Sequence, residues 1–98
     1  MSDPLKPLFS GLEARLARLA EKAAAAASLT VKVRQSLPEV LRTHVLSASR
    51  RGDDLVVIVD SAAWSARVRY AGRRLLEALA REGEVVAGKV RVKVGRSG

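Results

Sequence analysis

Apolar residues in the first third of the chain fall at Leu12, Leu16, Leu19, Ala23, Ala26, Val33 and Leu37, a three-four spacing that persists through the alanine tract of residues 23–27. The spacing predicts a long helix from Ser10, or two helices broken near Ser28, ending before Pro38. Alanine has high helix propensity and little bulk, so the tract would let another element approach closely. The same heptad spacing fits a coiled-coil dimer, but Ala and Thr30 occupy several seam positions, which favours a monomer. Pro38-Glu39-Val40-Leu41-Arg42 reads as a short helical turn with proline at its first position.

Further on, the pattern changes period. His44 to Arg50 reads as a strand, Arg51-Gly52-Asp53-Asp54 as a hairpin turn, and residues 54–60 as the strand returning antiparallel to it. Within that second strand Leu55 to Val59 is an unbroken aliphatic run, the mark of a strand buried on both faces. Asp60 and Ser61 offer N-cap oxygens to a helix that follows. On a helical period Trp64, Val68, Ala71, Leu75 and Leu79 form one stripe against the sheet, and Glu82-Gly83-Glu84 stops the helix. After the loop at Ala87-Gly88, Lys89-Val90-Arg91-Val92-Lys93-Val94 alternates strictly. Val90, Val92 and Val94 should face the core, with Lys89, Arg91 and Lys93 in a row on the other side.

The order α-(α)-β-β-α-β predicts an α+β domain over residues 10–95, with a three-stranded sheet and helices on one face, in the layout of KH-like domains. Residues 1–9, with Pro4 and Pro7 around Leu5, Leu8 and Phe9, read as an N-terminal arm, and residues 96–98 as the start of a tail or linker. Trp64, Val68, Leu75, Leu79 and Ile58 are the expected core. With 48% apolar but only 3% aromatic residues, that core must be aliphatic.

Charge adds a direction. A formal charge of +8, with Arg in excess of Lys, favours acidic partners, nucleic acid first, although a high-GC genome also enriches Arg and Ala. Arg67, Arg69, Arg73, Arg74 and Arg81 stand against the single Glu77 over the central helix. Arg67, Tyr70, Arg74 and Arg81 run along the edge of its apolar stripe, and Arg69 and Arg73 point further out. Either this is a solvated face or it is a contact surface for phosphate or protein. The row Lys89, Arg91, Lys93 has the same two readings, since basic edge strands also discourage aggregation. The candidate nucleic-acid contacts are therefore Arg67, Arg69, Tyr70, Arg73, Arg74, Lys89, Arg91 and Lys93.

Candidate chemistry is sparse. The chain has no Cys and one His, His44, for which a structural or exposed role is expected, so no catalytic or metal residues are assigned and no cofactor is implied. Asp53, Asp54 and Asp60 occupy turn and cap positions without a His or Lys constellation for acid-base work. No phosphate-binding glycine loop is present, and the G-x-x-G clamp of nucleic-acid-binding KH domains is missing. Three aromatic residues cannot make a base-stacking platform, so DNA contact should be electrostatic and salt-sensitive. No apolar run is long enough to span a membrane and no signal peptide is visible. A cytoplasmic protein without membrane partners is expected.

Leu37-Pro38, His44-Val45, Arg51 to Ser61 with Ala63-Trp64 and Arg67-Val68-Arg69-Tyr70, and Val90 to Val94 together resemble the DciA family of bacterial proteins. The likeness covers about residues 29–95, with Pro4-Leu5-Lys6 and Leu8-Phe9 suiting the family's start. Its most specific part is the strand-to-helix junction from Ala63-Trp64 to Tyr70. The resemblance implies a KH-like domain without ATPase activity that binds the replicative DNA helicase and single-stranded or forked DNA, assists helicase loading, and associates with the nucleoid at replication sites. Many members continue into a basic tail, whereas this sequence ends at Gly98. An RNA-binding KH-like module and a basic protein-binding adaptor are the alternatives that the residues leave open.

Overall fold

The computed structural model describes residues 6–95, with side chains from Ser10 onward. Residues 1–5 of the expected arm and the expected tail at 96–98 lie outside the described residues, and residues 6–9 already belong to the first helix. The elements are α1 (Lys6–Ser36), α2 (Glu39–Arg42), β1 (Val45–Arg51), β2 (Asp54–Val59), α3 (Ala62–Tyr70), α4 (Gly72–Arg81) and β3 (Val90–Val94). The sheet runs β1-β2-β3, with β1 antiparallel and β3 parallel to β2. This is the α+β layout with a three-stranded mixed sheet that the order of apolar patterns predicts.

β2 is the central strand, paired with β1 on one side and β3 on the other, but the helices cover only one of its faces, not both as its unbroken aliphatic run suggests. Leu55, Val57 and Val59 are fully buried in a core cluster with Leu29, Val33 and Leu37 of α1, Val68 of α3, and Leu75 and Leu79 of α4. One set of sheet residues thus meets all the long helices, so the helices share one face. Val56 is buried outside that cluster and Ile58 is half-buried. Alternation puts both on the opposite, open face of the sheet, so Ile58 is not a member of the core under the helices.

The hairpin turns at Gly52, whose φ of +58° is open to glycine at no cost. α4 ends in a Schellman motif: Glu84 N–H donates to Leu79 O at 2.9 Å and Gly83 N–H to Ala80 O at 3.1 Å, with Gly83 at φ +83°. That motif fixes Glu84 between Lys32 of α1 at 2.8 Å and Arg50 of β1 at 2.7 Å.

Three expectations need correction. The central helix is two helices, because Ala71 leaves the helical region at φ −83°, ψ 0°. Buried Gly72 then lies against Val90, where a Cβ would be 3.6 Å from Val90 Cβ. The five-residue stripe nevertheless stays on the core side, since the break falls within it and not across it. α1 is continuous through Ser28, but Leu12, Leu16 and Leu19 are exposed at 48%, 56% and 58%, so only its C-terminal part enters the core. The alanine tract is also exposed apart from half-buried Ala26, and the hairpin end from Ser49 to Gly52 faces it across an open pocket and does not pack closely on it. Val94 is 52% exposed, because it ends the edge strand with little above it.

α1 also closes one sheet edge. Thr30 Oγ1 accepts from Ala48 N–H at 2.9 Å, and Arg34 donates to Val45 O at 2.7 Å and 3.1 Å, beside the irregular register between Val45 and Ser47. Outward-facing backbone groups that an edge strand leaves without a ladder partner are thereby satisfied.

Candidate functional site

The eight candidate contacts do not form one surface. Lys89, Arg91 and Lys93 are exposed on the sheet's open face, where Arg91 is in register with Val56 and Lys93 with Ile58. Arg91 is partly neutralised by Asp54 at 2.9 Å, while Lys89 donates its backbone N–H to Asp54 Oδ1 at 2.9 Å. These two donors, the Lys89 amide first, hold the Asp54 carboxyl below its ordinary pKa. Arg51, which sequence reasoning passed over, is exposed on the same face, since it pairs with Asp54 in the hairpin register. The alternation of β1 could have flagged it.

On the helix side, Arg67, Tyr70 and Arg74 line a groove of about 740 Å³ between the end of α1 with α2 and the α3–α4 junction. Leu37 and Leu41, both buried, form its base, and Ala71 contributes from the opposite wall. Tyr70 is 96% exposed. Arg69 and Arg73 are exposed but do not line the groove. The helix side and the open sheet face are separated by the thickness of the domain.

Between them sits a cluster that the sequence did not reveal. His44 stacks on Trp64, with ring centroids 3.8 Å apart and planes 10° from parallel, and its Nδ1 lies 3.0 Å from Asp60 Oδ2. The Arg67 guanidinium is 5.3 Å from the Trp64 ring centroid. Asp60 therefore serves His44 and not the helix terminus. Ser61 occupies the N-cap position without a side-chain capping bond. Trp64 is half-buried and packs against the core from its edge.

The second carboxyl with a displaced pKa is Glu84, held below its ordinary value by the Lys32 ammonium and then by Arg50. Both displaced carboxyls are ionised partners in bridges between elements, the pattern of structural ion pairs and not of a proton-transfer site. Among the described residues no group of three or more His, Asp or Glu side chains could hold a metal ion, and no helix is long and apolar enough to cross a membrane.

The molecule is thus a small basic α+β domain with two separate cationic surfaces, one flat and one concave. Residues 4–92 match the family described as Dna[CI] antecedent, DciA, and the chain belongs to that family. The family is associated with loading of the replicative helicase in DNA replication and is not a known enzyme family. No curated protein is similar enough to the chain to count as a relative.

Proposed function

We propose that this protein is a non-enzymatic DNA-replication accessory factor that binds DNA and the replicative helicase and assists loading of the helicase. The observation that carries this reading is the family match over nearly the whole chain. The charge of +8 and the split of exposed cations into two surfaces support two acidic partners. DNA contacts fall to the row Lys89, Arg91, Lys93 with Arg51 on the open sheet face. Such contacts are to phosphates and carry little sequence preference. The protein acts in the cytoplasm, at replication sites on the nucleoid.

The test is a pull-down of the chain against the replicative helicase of its own species, with and without single-stranded DNA. Retention of the helicase is expected, together with binding of single-stranded or forked DNA. Preference for structured RNA over both DNA forms, without helicase retention, would replace this reading with that of an RNA-binding module.

A further inference from the structure

We infer that the groove between α1–α2 and α3–α4 seats an acidic, apolar-anchored segment of a protein partner and is not part of the DNA contact. The inference rests on the function proposed above and assigns one of its two partners to a surface.

Three features of the groove point to a peptide. Its apolar lining, Leu37 and Leu41 at the base and Ala71 on the opposite wall, is one that a sugar-phosphate strand would leave uncovered. Its rim carries Arg67 and Arg74, neither of which forms an ion pair among the described residues. A guanidinium without a carboxylate partner is suited to a bidentate carboxylate, and two of them seven residues apart suit carboxylates flanking a single anchor. Tyr70, almost fully exposed, stands between them at the end of α3. Tyr and Arg around an apolar depression are the composition of a protein-binding hot spot.

A nucleobase in place of the anchor is the competing occupant, and the surroundings disfavour it. Stacking of a strand needs successive aromatic faces. Tyr70 is alone at this rim, because one face of the Trp64 ring is taken by His44 at 3.8 Å. The groove is also preformed. Arg42 Nε donates to Leu37 O at 3.1 Å, tying α2 to the end of α1 and fixing the wall that the anchor would meet. A fixed wall lowers the ordering cost of binding a flexible segment.

The experiment compares two variants on two probes: the intact replicative helicase, and a fluorescein-labelled oligothymidine read by anisotropy. Tyr70→Ala with Arg74→Glu is expected to weaken helicase binding at least tenfold and to leave oligothymidine affinity within twofold. Lys89→Ala with Lys93→Ala is expected to do the reverse. All four side chains are exposed, and thermal melting of each variant is recorded to show that the fold survives. Loss of oligothymidine binding in the groove variant, with helicase binding kept, would make the groove a nucleic-acid site. Helicase binding that survives the groove variant would overturn the groove assignment alone. A wild-type chain that does not bind the helicase would overturn the functional reading and this inference with it.

Discussion

The imidazole of His44 lies flat on the indole of Trp64, 3.8 Å between ring centroids, and turns its Nδ1 towards Asp60. This contact carries to the first turn of α3 a link that the backbone makes only as far as Asp60, whose N–H donates to His44 O at 3.0 Å. It also explains why a tryptophan near a helix terminus is only half-buried: its inner edge packs on the core and its face is covered by one side chain.

Trp64→Ala should therefore destabilise the domain by about 3 kcal/mol, the low end for removing a large aromatic side chain from a core. His44→Ala, which removes the stacked partner, should cost about 1 kcal/mol. Urea denaturation of the two single variants and the double variant should give a coupling of about 0.5–1.5 kcal/mol, the range for stacked aromatic pairs. Strictly additive losses would mean that the stack contributes nothing.

Gly88 is the most tightly approached of the described glycines. Its N–H donates to Asp53 O at 2.7 Å, and an added Cβ would fall on Asp54 Oδ1 and 2.6 Å from Asp53 O. Gly88→Ala should push β3 away from the hairpin turn and cost about 1–3 kcal/mol, as overpacked sites do. Gly11→Ala, where a Cβ meets nothing within 4 Å, is the control and should be neutral or slightly stabilising. Thermal melts of the pair measure the contrast.

Glu84 makes stability depend on pH. Its folded-state pKa is depressed by Lys32 and Arg50, so its contribution is present above the unfolded glutamate value of about 4.3. It is lost as pH falls through the lower folded value. Urea midpoints measured from pH 6 down to pH 3 should fall, and Glu84→Gln should flatten that fall while lowering the midpoint at pH 6. An identical pH slope in the variant would remove Glu84 from the explanation.

Lys89→Ala with Lys93→Ala removes two exposed cations that have no ion-pair partner among the described residues. If each meets one phosphate of a single strand, the log-log salt dependence of oligothymidine binding should become shallower by about 1.4. Anisotropy titrations at several salt concentrations give the slope directly. An unchanged slope would place the DNA on another surface.

Much of the fold was legible because periodicity survives translation into three dimensions. The switch from a three-four spacing to an aliphatic run, then to a helical stripe and strict alternation, marks every strand within a residue or two. Two things were not legible. Local pattern cannot report that Ala71 breaks a helix whose stripe continues on both sides, since the stripe reads the same either way. Nor can spacing along α1 distinguish a leucine buried by this chain from one left uncovered, which is why Leu12, Leu16 and Leu19 resembled Val33 and Leu37. Most exposed cations could be read from the sequence, Arg51 apart, but their division between a flat sheet face and a groove depends on α2 and the α3–α4 junction meeting in space. The partnership of His44 with Trp64 and Asp60 joins the residue before β1, the residue after β2 and the start of α3, and none of them carries a local signal for it.

The exposed half of α1 has a thermodynamic consequence. A helix of 31 residues is about 46 Å long, yet only its last few turns touch the sheet. Residues 10–25 place no buried side chain in the core, so their helicity follows the helix–coil balance of an alanine-rich peptide, which erodes gradually with heat. Two melting regimes should coexist in one short chain. Circular dichroism at 222 nm would begin to decline well below the midpoint at which Trp64 fluorescence reports loss of the domain. Amide exchange would be graded along α1, fast at Leu12 and slowed to the global rate by Val33. The chain thus carries, on one continuous helix, a rigid root and a segment whose order responds to temperature on its own terms.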